Sequence, residues 1–335
     1  MAEWAWPAGA ATGIGSLPGT DIVEALRIVL GELPDLPHLP ELPARGPGAD
    51  LVGRSAALLV DLPVEVYTGR WKVASRPGRD LRVAHDLWER DLDALTEQAA
   101  GHTGAFKLQA AGPWTLAAAL ELPIGGVLLR DPGAARDLVA SLAEGLRLHV
   151  ADVSTRLPGA RIVLQLDEPS LPKVLAGRVP TESGLSTMRA VESEAARDAL
   201  AQIVQAVGVP VVVHCCAPEV PIGLISDAGA AAVALDLSLL GDLDPLGEAL
   251  DAGLGLIAGA VETRPSTAAA APSSVDAAAR VREVWRRLGF GLAAMPAQVV
   301  VSPACGLAGA SQAHARAVLV ACREAGRRLR DEASG

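Results

Sequence analysis

Side chains that can bind a metal ion stand where three apolar runs of the sequence end. His214 and Cys216 follow three consecutive valines. Asp236 follows the run AVAL, and Cys305 follows the run VVVSPA. Because side chains alternate along an extended backbone, His214 and Cys216 are expected to point one way and Cys215 the other. Imidazole, thiolate and carboxylate groups are ligands that Zn²⁺ takes in tetrahedral sites, so the pattern predicts a zinc site.

A purely structural role is the alternative for these cysteines. An H-x-C pair alone is a weak signal, and a buried cysteine often packs as a small hydrophobic residue. Cys322, in a stretch with helical character, is expected to be structural. Two adjacent and two distant cysteines in 335 residues do not form a disulfide framework.

Two further turns carry groups that suit a small charged substrate. The run LQLDEPS holds consecutive Asp167 and Glu168, one of which could bind an ammonium group or share a proton. A solvated loop that ends at Pro169 is the alternative. The early run TGIGSLP offers backbone amides and the Ser16 hydroxyl to a carboxylate, although two glycines are a weak signal for phosphate.

The elements that must position these groups alternate in type along the chain. Helices are predicted over 131–156, 193–206 and 274–288, with Asp131, Ser193 and Ser274 as N-caps. A strand ends near 13–15, and a hairpin is predicted over 65–73. The other predicted strands are 106–109, 161–166, 210–214, 231–235, 254–260 and 298–302.

This order predicts an α/β protein, a (β/α)₈ TIM barrel that uses residues 1–335 as a single domain. The carboxyl ends of all barrel strands lie on one face, so the candidate ligands are expected to converge there. Prolines at five positions in 33–47 predict an extended surface excursion, and 263–274 reads as a low-complexity loop.

Composition excludes several classes of protein. With 50% hydrophobic residues and 20% charged residues, the chain can bury a large core and is not disordered. The net charge of −10, without a run of basic residues, argues against a nucleic-acid partner. No apolar run is long enough to cross a membrane, and an acid stands near the N-terminus where a secretory signal carries a base, so we expect a cytoplasmic protein.

Six runs, taken in order, resemble the C-terminal catalytic barrel of the cobalamin-independent methionine synthase family. The resemblance extends from about residue 10 to about residue 325, and it implies a (β/α)₈ barrel in which Zn²⁺ binds homocysteine and a methyl group passes to its thiol, forming methionine. The runs are IGSLPGT (14–20), KLQAAGPWT (107–115), LQLDEPSL (164–171), HCC (214–216), ALDLS (234–238) and SPACGL (302–307).

The resemblance also assigns roles to residues of this chain. It puts the carboxylate of the amino acid at Ile14, Gly15 and Ser16, and its ammonium at Asp167. A second acid for the ammonium falls near 57–61, where Asp61 is the candidate. The zinc ligands implied are His214, Cys216, Asp236 and Cys305, with Asp236 in place of the glutamate of the long enzymes.

Three departures from the family pattern bear on the reaction. Arg264 stands where the family has a histidine that assists methyl transfer, and because arginine cannot act as a general acid, Glu262 is the predicted proton donor. Ala119 replaces a tryptophan that packs against folate, and Lys173 replaces an acid after the DEP run.

The methyl donor stays open between methylfolate and a methyl-corrinoid protein, because the resemblance covers only one of the two barrels of the long enzymes. Two other functions remain as alternatives: a zinc-dependent methyltransferase for another thiol such as coenzyme M, and a catalytically impaired zinc or amino-acid binding paralogue.

Overall fold

The computed structural model describes residues 4–264 and 271–333. Its centre is a curled parallel sheet in which β3 to β8 pair in sequence order, while β1 and β2 form a separate antiparallel hairpin. The strands are β1 (Val64–Tyr67), β2 (Arg70–Val73), β3 (Ala105–Ala111), β4 (Arg161–Asp167), β5 (Val211–Cys215), β6 (Ala232–Asp236), β7 (Gly255–Val261) and β8 (Val299–Pro303).

Helices follow the strands of the central sheet and cover its outer side. The helices are α1 (Ile22–Glu32), α2 (Leu51–Ala56), α3 (Arg79–Gln98), α4 (Pro113–Ala119), α5 (Pro132–Arg156), α6 (Leu171–Leu175), α7 (Ser193–Val207), α8 (Ile222–Asp227), α9 (Asp244–Asp251), α10 (Ser274–Arg287), α11 (Met295–Gln298) and α12 (Gln312–Ala333). Strands β3, β5, β7 and β8 are buried along their whole length, as expected for parallel strands covered on both faces.

The sequence predicts the eight strands of a (β/α)₈ barrel, and within residues 4–264 and 271–333 the curled sheet has six. Two segments near the N-terminus lie beside the edges of the sheet and form only isolated bridges with it. Ala11 bridges Val301 of β8, and His38 bridges Lys107 of β3. A further parallel bridge joins the two segments to each other, between Ser16 and Glu41.

The proline-rich segment is extended but is not a surface excursion. Leu36, His38, Leu39 and Leu42 are each at most 1% exposed. Lys107 donates its backbone N–H to Pro37, and Leu39 donates to the carbonyl of Lys107. Proline spacing excludes a helix, but it does not exclude a place against a sheet edge, where only some N–H groups are needed.

The other predicted elements are largely confirmed. All six predicted strands from residue 106 onward occur within two residues of their expected bounds, and so do the three long helices and the hairpin. Asp131 caps α5 as predicted, but Ser273 rather than Ser274 caps α10, and Glu192 rather than Ser193 precedes α7. Of the predicted loop over 263–274, residues 265–270 lie outside the described residues.

Across the described residues, no helix has both the length and the apolar character needed to cross a membrane.

Candidate metal and substrate site

Three of the four predicted zinc ligands lie together beyond the carboxyl ends of β5 and β8. His214, Cys216 and Cys305 each offer a ligand atom, and these atoms lie within 4.8 Å of one another. The two sulfur atoms are 2.9 Å apart. His214 is 3% exposed and both cysteines are half-buried. The alternation of side chains that predicted this arrangement also holds for Cys215, which is fully buried in the core.

The imidazole of His214 is held in one orientation by Asp167. His214 pairs with Asp167 in the register of β4 and β5, and its Nδ1 lies 2.7 Å from the Oδ1 of that carboxylate. The other ring nitrogen, Nε2, is buried and has no hydrogen-bond partner among the described residues. Ligating histidines commonly bond a carboxylate through the nitrogen that does not face the metal, so Nε2 is the atom left for an ion.

The charges at this cluster suit a cation. The hydrogen bond from the Cys216 thiol lowers the pKa of Cys305 to about 5 against the effect of burial, with help from His214. Burial lowers the pKa of His214, but its hydrogen bond to Asp167 and the nearby charges of Asp167 and Cys305 outweigh this and raise it to about 9. The same pairing raises the pKa of Cys216. One unpartnered imidazole nitrogen and two adjacent sulfurs therefore fit Zn²⁺, and three protein ligands are typical of catalytic zinc.

Asp236 lies outside this group. It ends β6, is half-buried, and its Oδ1 accepts hydrogen bonds from the backbone N–H and the hydroxyl of Ser238 at 2.9 and 2.7 Å. The carboxylate therefore caps the short 3₁₀ turn that follows the strand. Its place as the fourth ligand stays a prediction.

The turn over Ile14, Gly15 and Ser16 is fixed by hydrogen bonds that its carbonyl groups accept from the sheet and from the segment around Glu41. The Ile14 carbonyl accepts from Lys107 Nζ at 3.0 Å and from Gln165 Nε2 at 2.8 Å, and the Gly15 carbonyl accepts from the backbone N–H of Glu41 at 3.1 Å. Because a trans peptide points its C=O and N–H in opposite directions, the amides of Gly15 and Ser16 point away from these donors. Neither amide has an acceptor among the described residues.

This turn also packs against the loop that carries Cys305. Leu307 donates its N–H to the Ser16 carbonyl at 2.8 Å. A Cβ at Gly306 would lie 2.2 Å from Ser16 Oγ, so a larger residue there would require Ser16 to change its rotamer. The SPACGL and IGSLPGT runs therefore meet in space.

A continuous hydrogen-bonded path joins the early turn to the metal cluster. The amide of Gln165 donates to the Ile14 carbonyl and, at 2.7 Å, to Asp167 Oδ1, and Asp167 in turn bonds His214. Lys107 Nζ joins the same path, because it lies 2.8 Å from Gln165 Oε1. Ile14, Asp167 and His214, which are predicted to serve the carboxylate, the ammonium and the metal ion, are thus joined in one hydrogen-bonded network.

Glu41 is a second acid at this assembly, and the sequence reasoning missed it. It is 4% exposed, and burial together with the nearby charge of Asp167 raises its pKa to about 7, against the opposing effects of Arg54, Gln109 and Lys107. Asp61, the acid expected here, is exposed and adopts a positive φ of 56°.

Glu168, which directly follows β4, has a structural role. Its carboxylate accepts from the backbone N–H groups of Trp114 and Thr115 and from the Thr115 hydroxyl, at 2.7 to 2.9 Å. It therefore caps α4 from another strand. A Cβ at Gly112 would lie 2.4 Å from its Oε1, which explains the glycine of the GPWT run. The solvated-loop interpretation is wrong for both acids, since Asp167 and Glu168 are buried.

Glu262 and Arg264 lie on the rim beyond β7. Both side chains are exposed, and Glu262 pairs with Arg280 at 3.1 Å. Both residues line a cavity of about 200 Å³ together with His314. The Nε2 of His314 is buried and has no hydrogen-bond partner among the described residues. The role of Glu262 as a proton donor stays a prediction.

The missed polar residues do leave a signal in the sequence. Lys107 and Gln109 stand two apart in β3, and Gln165 and Asp167 stand two apart in β4, each pair within an otherwise apolar strand. Polar side chains with a period of two in a buried strand share one face, and here that face is the interior of the curled sheet.

Sequence comparison identifies one family. The family model described as the catalytic domain of cobalamin-independent synthase matches residues 106–328. No curated protein matches the chain in sequence.

Solved structures extend the likeness to the whole fold. A B12-independent methionine synthase from Shewanella sp. W3-18-1, in complex with selenomethionine, superposes with a TM-score of 0.66 at 14% identity, covering 97% of this chain and 99% of that one. A methyltransferase from Methanosarcina mazei superposes with a TM-score of 0.56 at 15% identity, with coverages of 98% and 96%. At these identities the likeness establishes the fold.

Proposed function

The chain belongs to the family of cobalamin-independent synthase catalytic domains, and we propose that it is a zinc-dependent methyltransferase that forms methionine from homocysteine. The observation that carries this proposal is the hydrogen-bonded path from the Ile14 carbonyl through Gln165 and Asp167 to His214. This path joins the proposed binding site for an amino acid to the proposed site for a metal ion that binds its thiol.

In this proposal the free amides of Gly15 and Ser16, with the Ser16 hydroxyl, bind the substrate carboxylate. Buried Lys107 donates to the Ile14 carbonyl on the opposite side of the turn and adds positive charge beneath it. The substrate ammonium lies at Asp167, whose Oδ2 has no partner among the described residues. Glu41 is better supported than Asp61 as the second acid, because it is buried beside Asp167.

His214, Cys216 and Cys305 would hold the metal, with Asp236 as the proposed fourth ligand. Bound Zn²⁺ lowers the pKa of a coordinated thiol, so that the nucleophilic thiolate is populated near neutral pH. Asp167 fixes the ring of His214 and so keeps Nε2 directed to the site. Glu262 is our proposed donor of the proton that a folate leaving group needs.

We also propose that the chain acts as one catalytic domain. The main hydrophobic core is one continuous cluster of buried residues. It includes Leu26 of α1 and Leu329 of α12, so the first and the last helix pack on the same core.

The proposal is tested by methyl transfer to L-homocysteine from methyltetrahydrofolate and from methylcobalamin, with one zinc-loaded preparation. Methionine is expected from at least one donor, and coenzyme M, which has no ammonium group for Asp167, is expected to remain unmethylated. Absence of methionine with both donors, in a preparation that holds stoichiometric zinc, contradicts the proposal.

A further inference from the structure

A second cavity, which shares no residues with the metal and substrate site among the described residues, lies between the N-terminal parts of α5 and α7. Its volume is about 670 Å³, within the range of small-molecule pockets. None of the candidate ligands or substrate-binding residues lines it among the described residues. Its apolar wall is formed by Trp114, Leu129, Ala135, Val139, Ala195 and Ala199.

The cavity exists because small side chains face each other where two helices pack. Ala135 on α5 and Ala195 and Ala199 on α7 are too short to fill the space between the helix axes. Trp114 closes the inner end, where its indole N–H donates to the Ala196 carbonyl at 3.1 Å. The floor is therefore fixed by a hydrogen bond and is apolar.

The mouth of the cavity carries an excess of positive charge on a chain whose net charge is −10. Arg130, Arg136 and Arg189 line it. Within the described ranges, Arg136 and Arg189 have no ion pair or hydrogen bond, and Arg130 contacts only the Gly125 carbonyl at 3.0 Å.

Two acids face the same cavity, Glu192 and Asp198. Asp198 already pairs with Arg197 at 2.6 Å, so its charge is largely compensated on the outer side of α7. The three arginines therefore outnumber the acid that remains, Glu192. Guanidinium groups match the planar geometry of carboxylates and form paired hydrogen bonds with them.

We propose that this cavity binds an amphipathic carboxylate, with its apolar body against Trp114 and the alanines and its carboxylate at Arg136 and Arg189. An apolar floor with a few convergent charged groups at the mouth is the usual composition of such sites. The arginines disfavour an organic cation of the same shape, and the apolar wall favours a ligand with an apolar body over a small inorganic anion.

Calorimetric titration tests this proposal with decanoate and with decyltrimethylammonium, both below their micellar concentrations. Decanoate is expected to bind once per chain, and the cation about tenfold more weakly or not at all. The double variant Arg136→Ala and Arg189→Ala is expected to weaken decanoate binding about tenfold or more, and Ala195→Trp, at an exposed position that faces the cavity, to abolish it.

The matched control is Arg147→Ala, which removes an exposed arginine of α5 that pairs with Glu144 and does not line the cavity. It is expected to bind decanoate as the unaltered chain does. Thermal melting confirms that each variant folds. Absence of decanoate binding, equal binding of the cation, or equal binding by Ala195→Trp would overturn the proposal.

Discussion

Three of the four residues proposed as zinc ligands converge, and one does not. His214, Cys216 and Cys305 form one group, whereas Asp236 is engaged by Ser238. Their contributions to metal binding are therefore expected to differ.

We expect Cys305→Ala to lose the zinc that the unaltered chain holds at about one ion per chain, because it removes one of the two sulfur ligands and leaves only His214 and Cys216 of the three grouped side chains. Asp236→Ala is expected to keep zinc with weakened affinity. Cys215→Ala is the matched control, since its side chain points away from the cluster into the core. Metal content after dialysis in reducing buffer checks this, and full zinc in Cys305→Ala would refute the ligand assignment.

Asp167 is expected to act on both the metal and the substrate. Asp167→Asn removes the charge that orients His214, so zinc affinity should fall by about 10- to 100-fold. The variant should also lose most of its preference for homocysteine over 4-mercaptobutanoate, which lacks the ammonium. Competition with a chromogenic chelator measures the first effect and calorimetry the second. An unchanged preference between the two thiols would exclude Asp167 from the ammonium site.

Glu41 should make stability depend on pH. Its pKa is about 7 in the folded protein against 4.5 for an ordinary glutamate, so the folded state holds the proton more tightly and stability falls as the pH rises from 4.5 through 7. Between pH 5 and pH 8 the unaltered chain should lose on the order of 3 kcal/mol more than Glu41→Gln. Denaturant unfolding at both values checks this, and equal losses would contradict it.

At the scale of elements, the DEP and GPWT runs together form the N-terminal cap of α4. Glu168, at the end of β4, satisfies the first free N–H groups of α4 on the neighbouring strand connection. This cap fixes the position of Asp167, the residue before Glu168, relative to α4. It also gives two short motifs about fifty residues apart a shared structural role.

Glu168→Gln is expected to destabilise the fold by about 2 kcal/mol, because the amide NH₂ would replace one carboxylate oxygen and leave the backbone N–H of Trp114 or of Thr115 facing another donor. Glu144→Gln is the control, since that glutamate is exposed on α5 and pairs only with Arg147. The free energy of unfolding in urea measures both. A loss no larger than that of the control would show that the cap carries little weight.

At the scale of the whole molecule, the order of elements was predictable and the closure of the sheet was not. The six strands of the sheet consist mainly of small and branched residues, so the sequence patterns locate them. The sequence also predicts a strand that ends near 13–15, where the structure has only an isolated bridge at Ala11, and it predicts no strand around His38, which forms the bridge at the other edge.

The site follows the same division. His214, Cys216 and Cys305 were predictable because each lies in or just after the carboxyl end of a strand of the sheet, where chain order determines position. Glu41 was not, because its place depends on a proline-rich segment that resembles a surface connector and is in fact buried. Contacts set by that segment could be found only from the fold.

We propose that the metal and substrate residues form a single site, so that a thiol amino acid binds more tightly when zinc is present. Calorimetric titration of L-homocysteine into the zinc-loaded chain, the same chain after chelation, and the chain with zinc restored tests this directly. We expect binding to weaken by about tenfold or more on chelation and to return with zinc. Equal affinity in all three preparations would contradict the account.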